Sequence, residues 1–349
     1  SLGNPNVEPP KEIKQAIIDI INEEPQNLVH GYMSNSGYED VRENIAEFIN
    51  KKNNVNLTKD NIVMTCGAAG GLNIILKTLL NPEDEVIVIA PFFGEYENYV
   101  NNFDGKLVVV QADKETFQPD IKALEKGIII NTPNNPTGVI YSSESLTKMA
   151  EVLRKKEAEY KTSIYLISDE PYKEIAYDGA EVPFLLNYHK NSFIGYSYSK
   201  SLSLPGERIG YVVANSEMDD YKDVIQSLNV ANRILGFVNA PSLFQRVIGR
   251  TLGAEVDVNI YKKNRDLLYN HLISLGFECV KPQGAFYLFP KSLIPDDKAF
   301  AEAAKKYNLL IVPGSSFGCP GHFRLSYCIS YEKIEKSLQA FTKLAEEFK

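Results

Sequence analysis

An α/β fold with a mostly parallel, seven-stranded sheet in a large domain, joined to a smaller α+β domain, is predicted for this chain by three observations. Seven short strand-like runs recur between Ile62 and Ala214. Amphipathic helical stretches separate most of them, and the character changes beyond Glu217. Strands that alternate with helices form a sheet wound with those helices.

The elements follow in order. Leu2-Gly-Asn-Pro-Asn6 is rich in turn residues and precedes a helix near 10–23. After His30-Gly-Tyr-Met-Ser-Asn-Ser-Gly-Tyr38 comes an amphipathic helix from Glu39 to about Lys51, with Val41, Ile45, Phe48 and Ile49 on one face. The first strand covers 62–66, and Gly67-Ala-Ala-Gly-Gly71 then opens a helix to Leu80. Further strands are expected at 86–90, 107–111, 128–132, 164–168, 193–198 and 211–214, and helices at 95–102, 120–126 and 143–158. Beyond Glu217, helical stretches 241–252 and 255–275 lead to short runs at 277–280, 285–289, 309–313 and 323–328. An amphipathic stretch at 297–307 lies among these runs, and a last helix begins at Glu332. The expected division is a large domain of residues 31–260 and a discontinuous small domain of residues 1–30 with 261–349, bridged by the helix from Glu255.

Composition narrows the function. A net charge of −8 and a pI near 5.3 argue against nucleic acid or an anionic membrane as the main partner. Cys66, Cys279, Cys319 and Cys328 show no paired spacing, and His30, His189, His271 and His322 stand far apart. No metal site is expected, and reduced thiols suit the cytoplasm. No apolar run approaches the ~20 residues that span a bilayer, and no signal peptide is read.

In open α/β sheets ligands bind beyond the carboxyl ends of the strands. Gly67-Ala-Ala follows the first run, Pro91-Phe-Phe93 the second and Asn134-Asn-Pro-Thr-Gly138 the fourth. Asp169-Glu-Pro-Tyr172 follows the fifth and Lys200 the sixth, so all five are expected at one crevice. Gly67, Ala68 and Ala69 at a helix start are either an anion cradle or a tight turn. The loop is neither G-x-G-x-x-G nor a GK[ST] P-loop, so no nucleotide fingerprint is present. A carboxylate such as Asp169 at the end of a buried strand ordinarily caps a helix or holds a loop. A lone loop lysine is ordinarily a surface residue. Lys200, however, stands with Ser197 and Ser199 beside it and Arg208 eight residues on. An amine that condenses with an aldehyde must be held still and partly relieved of its proton, and nearby positive charge and exclusion of water both lower its pKa. Arg208 supplies a cation suited to a phosphate.

The run Ser197-x-Ser-Lys-x-x-Ser-Leu-x-Gly-x-Arg-Ile-Gly210 resembles the cofactor-lysine signature of class I/II aminotransferases, the fold-type I pyridoxal phosphate enzymes. Asn131-x-Pro-Asn-Asn-Pro-Thr-Gly138, Asp169-x-x-Tyr172 and Phe323-Arg-Leu-Ser-Tyr327 are similar to that family's motifs in their usual order, so the resemblance covers nearly the whole chain. It implies pyridoxal 5'-phosphate as cofactor, Lys200 as its covalent anchor and Asp169 as the partner of its pyridine nitrogen. It further implies Tyr172 and Asn135 beside the ring oxygen and Phe93 stacked on the ring. The phosphate would be held by Gly67, Ala68, Ala69, Ser197, Ser199 and Arg208, with Tyr32 lent by a neighbouring subunit, hence a homodimer with composite sites. Arg324, with Asn135 and Gly3, would hold the substrate α-carboxylate, and Arg233 a distal one. The implied reaction is ping-pong transamination between an amino acid, aspartate or glutamate, and a 2-oxo acid, with Lys200 as the base. A carbon–sulfur β-lyase and a non-catalytic sensor domain are the alternatives on this scaffold; the DNA-binding segment of such sensors is not visible here. The chain departs from the family in three places. Family members carry more residues before Leu2, the link between Lys126 and Gly127 is short, and Ala69 stands where one branch of aspartate enzymes has a lysine.

Overall fold

The computed structural model describes residues 3–120 and 128–348. Seven strands form the main sheet: β1 (Ile62–Thr65), β2 (Glu85–Ala90), β3 (Lys106–Gln111), β4 (Ile128–Asn131), β5 (Leu166–Asp169), β6 (Ser192–Ser197) and β7 (Gly210–Ala214). Their order is β1-β7-β6-β5-β4-β2-β3. The pairs β2–β3, β2–β4, β4–β5 and β5–β6 are parallel, and β7 runs antiparallel to both β6 and β1. Six carboxyl ends therefore share one edge of the sheet with the amino end of β7, and this geometry delivers Arg208 beside Lys200. Strands β4 to β7 are buried along their whole length, whereas edge strand β3 is only partly covered.

Both faces of the sheet are covered. Met64, Ile87, Ile128 and Leu166 face one apolar core with Ile45 and Leu146, while Val63, Val88, Ile129 and Ile167 face another with Leu72 and Ile75. Helix Gly67–Leu79 lies close on the sheet: a Cβ on Gly71 would come within 2.9 Å of Val212 Cγ2. A third core gathers Tyr261, Leu268, Phe286, Phe300 and Phe323 around the antiparallel strands β8 (Tyr287–Leu288), β9 (Val312–Pro313) and β10 (Phe323–Ser326), ordered β8-β10-β9.

All seven sheet strands expected from the sequence are present, with shifted ends. β5 starts at Leu166 because the Ile164 amide donates to Glu157 Oε1 instead of to the ladder. Residues 277–280 form no strand; one backbone bond, from Lys291 N to Glu278 O, joins them to the next segment. The run 285–289 keeps only Tyr287–Leu288 as strand, since Ala285 sits at φ +54°, outside the β region. Helix Tyr221–Ile234 was not expected. Its buried stripe is narrow (Val224, Leu228, Ala231 and Asn232), and the apolar Val230 and Ile234 lie exposed, so it becomes a helix chiefly by packing on helix Gly67–Leu79. The helix expected at 120–126 lies outside the described residues, apart from Asp120.

Candidate active site

A cleft of about 390 Å³ opens at the carboxyl edge of the sheet. Ala68 and Ala69 after β1, Phe93 after β2, Asn135 after β4, Asp169 and Tyr172 of the β5 segment, and Ser197, Ser199 and Lys200 of the β6 segment all line it. Arg208 arrives from the segment before β7 and Arg324 from β10.

One end of the cleft has the features an anion cradle needs. Helix Gly67–Leu79 begins there with no side-chain cap, so its first-turn amides face outward with the positive end of the helix dipole. Gly67 has φ +70°, and a Cβ there would lie 2.7 Å from Arg208 Nη2, so glycine is what lets the guanidinium pass. Arg208 is held at φ +52° by its Nη1–H bond to Pro205 O, 2.9 Å. The hydroxyls of Ser197 and Ser199 are 2.7 Å apart, and Ser197 Oγ accepts the Ser199 amide at 3.2 Å, capping the single turn Tyr198–Ser201 that carries Lys200.

Lys200 Nζ donates to Gly3 O at 2.8 Å and lies 5.6 Å from the Phe286 ring centroid. Burial pulls its pKa down; the Cys328 thiol opposes this, and the Arg208 and Arg324 cations reinforce it. A lysine so placed reaches its neutral, nucleophilic form more readily than one in water.

Asp169 is buried at the carboxyl end of β5. Tyr96 donates its O–H to Oδ2 at 2.7 Å, while Oδ1 is buried with no hydrogen-bond partner. Burial pushes the carboxyl pKa up to about 7, with the Tyr96 bond opposing it and Glu170 adding to it. One acceptor therefore remains for an N–H of a bound ring.

Arg324 lies buried between two aromatic rings, its guanidinium carbon 4.6 Å from the Tyr287 centroid and 4.8 Å from that of Phe317. Its Nη1–H donates to Asn135 Oδ1 at 2.8 Å. Asn135 is fixed in turn by Asn131, whose Oδ1 accepts the Asn135 amide at 2.6 Å and whose Nδ2 donates to Asp169 O at 2.7 Å. The Tyr172 and Tyr287 hydroxyls are 3.0 Å apart.

Pyridoxal phosphate fits these residues on two observations: the orphaned Asp169 Oδ1 meets the need of a pyridinium N–H, and the Gly67–Arg208 cradle meets that of a phosphate. The structure brings together every expected site residue except Tyr32 and Arg233; Gly3 takes part through its carbonyl. Tyr32 is 94% exposed, and Arg233 is exposed in the last turn of helix Tyr221–Ile234. Both lie outside the lining of this chain's own cleft. Tyr96, Asn131, Tyr287 and Phe317 were not anticipated. Tyr96 follows Phe93 by three residues, a helical spacing that could have revealed it; Tyr287, in an apolar run, reads as core. Among the described residues no cluster of His, Cys, Asp and Glu could hold a metal, and no helix is long and apolar enough to cross a membrane.

Comparison with known proteins agrees with this geometry. Residues 1–341 match the family model described as aminotransferase class I and II. A protein of Aquifex aeolicus named "Probable aspartate/prephenate aminotransferase" is 33% identical over 99% of this chain and 90% of its own length. The crystal structure of an aminotransferase from Eubacterium rectale superposes with a TM-score of 0.98 at 46% identity, covering 100% of this chain and 89% of that one. Aspartate aminotransferase from Thermotoga maritima superposes with a TM-score of 0.87 at 28% identity, covering 99% and 91%. With its lysine, its buried aspartate and its anion cradle on one edge of a fold-type I sheet, this chain belongs to the class I and II aminotransferases, enzymes that depend on pyridoxal phosphate.

Proposed function

We propose that Lys200, Asp169 and Arg324 carry out the transamination, and that the physiological donor is an acidic amino acid, aspartate or glutamate, with 2-oxoglutarate or oxaloacetate as acceptor. The observation that carries the assignment of roles is the convergence of a depressed lysine, a buried carboxylate with one unpaired oxygen and a buried arginine on a single cleft. Pyridoxal phosphate, when bound, supplies an aldehyde that holds the amino group and a ring that accepts electron density. Arg324 takes the α-carboxylate with two parallel N–H bonds, fixed by Asn135 and by the rings on either side. Lys200 Nζ, anchored near Gly3 O, takes the proton from the substrate Cα and returns it on the other side of the transfer. Asp169 keeps the pyridine nitrogen protonated, while Tyr172 and Asn135 flank the ring oxygen and Phe93 supplies a stacking face. The amides of Ala68 and Ala69, with Ser197, Ser199 and Arg208, hold the phosphate.

The acidic donor rests on Arg233, and Arg233 on a neighbouring subunit. The segment bearing Tyr32 is tied to the segment bearing Arg233 by bonds from Asn239 Nδ2 to Ser34 O (2.9 Å) and from Ser36 Oγ to Asn229 Oδ1 (2.8 Å). Val230 and Ile234 on the same helix are 57% and 63% exposed. An exposed tyrosine, an exposed arginine and apolar side chains on one surface suit the face of a two-fold homodimer, where each would complete the partner's cleft. The Aquifex and Thermotoga proteins, both named for aspartate, support the same donor. Mixing the yellow holoenzyme with single amino acids and following its absorption band is the direct test. Aspartate or glutamate should bleach it fastest, and Arg233→Ala should lose about 100-fold or more in kcat/KM on these donors but under about threefold on alanine. Equal losses on both classes, or a wild-type preference for an aromatic donor, would remove Arg233 from the site.

The composite site has its own test. Mixing Lys200→Ala with Tyr32→Phe subunits should restore activity, since half of the heterodimers' sites carry neither substitution. A fully active monomer in sedimentation would refute it. The domain division we propose sets residues 31–260, on the two cores of the main sheet, against 261–349, most of whose buried apolar residues join the third core. The N-terminal segment is split between them: Val7 packs on the third core, that of Phe286 and Phe323, and Ile13, Ala16 and Ile20 lie in the first. A cytoplasmic location is proposed on the four cysteines, none of them in a disulfide.

A further inference from the structure

Tyr96 holds two walls of the cleft at once, although it does not line the cleft itself. It is the second residue of helix Glu95–Asn101 and lies buried, 1% exposed, in the core that Val88 and Ile129 share. Its amide donates to Phe93 O at 3.1 Å, and its ring meets the Phe93 ring edge-on, the centroids 5.6 Å apart at 83°. Its hydroxyl donates to Asp169 Oδ2 at 2.7 Å. The aromatic face and the carboxylate of the site are thus tied to one side chain.

The Asp169 main chain is fixed by other means. It pairs with Asn131 and Gly195 in the sheet, and its carbonyl accepts from Asn131 Nδ2 at 2.7 Å. None of these contacts reaches the carboxyl group, which could still turn about its last bond. Tyr96 removes that freedom by pinning one oxygen, and Oδ1 is what remains, buried and without a partner. Charge sets the direction of the bond. An ionised carboxylate has no proton to give, so the phenol is the donor in the state that would face a cationic ring nitrogen. The bond favours that state, whereas burial, with Glu170 beside it, favours the neutral acid. Tyr99 and Tyr172, which line the cleft, are the further titratable groups that feel the Asp169 charge.

We propose that Tyr96 is a positioning residue that presents the free oxygen of Asp169 to the cofactor's ring nitrogen and keeps their shared proton on that nitrogen. It acts through Asp169. Without the phenol, Oδ2 becomes a second buried acceptor with no donor, and the carboxylate gains affinity for a proton. The ring then holds less positive charge and draws electron density less well. The inference rests on the role proposed for Asp169 and names the residue that keeps Asp169 from taking the proton itself.

The test uses holoenzyme and the pH titration of its yellow lysine–cofactor chromophore, together with kcat and KM on one donor. Wild type, Tyr96→Phe, Asp169→Asn and the double variant are compared. Phenylalanine keeps the ring, its Phe93 contact and its packing. In Tyr96→Phe the chromophore midpoint should rise by at least about half a pH unit, as it should in Asp169→Asn, because less charge on the ring leaves the lysine nitrogen more basic. A loss of about tenfold in kcat, the size of one hydrogen bond to a charged group, should come with a change of less than about threefold in KM, since Arg324 is untouched. In the Asp169→Asn background the same change should lower kcat by less than about threefold. Melts of the cofactor-free proteins add a reading that needs no chromophore. Tyr96→Phe should fall further below wild type at about pH 8 than at about pH 5, because the lost bond is to a carboxylate that is ionised only at the higher pH. Three results would each overturn the part of Tyr96 and leave that of Asp169 standing: a midpoint that moves in Asp169→Asn but not in Tyr96→Phe, a full tenfold loss in the Asp169→Asn background, or a melting difference independent of pH. Absence of the chromophore in wild type, or an unmoved midpoint in Asp169→Asn, would overturn the role of Asp169, and that of Tyr96 with it.

Discussion

Replacing Lys200 by alanine is expected to lower kcat by more than about 10⁴-fold, because one change removes both the covalent anchor and the proton carrier. The fold should survive. The side chain makes one hydrogen bond, to Gly3 O, and a single such bond contributes about 1 kcal/mol. A melting curve near that of wild type beside an inactive enzyme is therefore the signature to look for. Borohydride treatment of wild type should fix the cofactor to Lys200, as read by peptide mapping. Labelling of any other lysine, or residual turnover within about tenfold of wild type, would remove Lys200 from its role.

The second large effect is expected at Asp169, and it has two opposite signs. Asp169→Asn should retain cofactor yet lose about 10³-fold or more in kcat, a barrier rise of about 4 kcal/mol, because nothing then keeps the ring nitrogen protonated. The same change should stabilise the cofactor-free protein. The folded-state pKa of about 7 stands above the ordinary carboxylate value of 3.8, so the folded chain binds this proton more tightly than the unfolded one. Stability contributed by the protonated group is present below about pH 4 and is lost as the pH rises towards 7. Thermal melts of cofactor-free wild type and variant should therefore diverge over that window, reaching a few kcal/mol, in order of magnitude, by pH 8. A difference independent of pH would mean that Asp169 is not held in the buried environment described. In the role we propose for Asp169, function opposes stability: a buried carboxylate destabilises the chain until a cationic partner arrives.

Much of this site was legible because its chemistry sits at strand ends. Lys200, Asp169, Asn135 and the Gly67 turn each follow an apolar run, and the parallel sheet brings such ends to one edge whatever the details of packing. Arg208 was legible for a related reason, since the strand after it is the antiparallel one and begins where the others finish. Tyr96 and Tyr287 were not. A tyrosine that will be buried reads the same in sequence whether it only packs or also donates a hydrogen bond, and only the position of Asp169 Oδ2 or the Tyr172 hydroxyl tells which. Helix Tyr221–Ile234 was missed because one of its four buried positions, Asn232, is polar while the apolar Val230 and Ile234 are exposed, which blurs the apolar stripe.

By itself the amino-acid sequence determined the fold class, the candidate for the cofactor lysine and the order of the motifs along the chain. These depend on strand ends, glycine turns and residue types, which are local properties. The tertiary structure decided the rest. It showed which Asp169 oxygen is left unpaired, that Lys200 rests on Gly3 O across the fold, and that Arg324 stands on a tyrosine joined to Tyr172. It also showed that Tyr32 and Arg233 are exposed and stand outside the lining of their own cleft. Each of these is a relation between residues far apart in the chain. Hydrogen bonds and burial act over about 3–4 Å in space, a separation that spacing along the sequence does not encode.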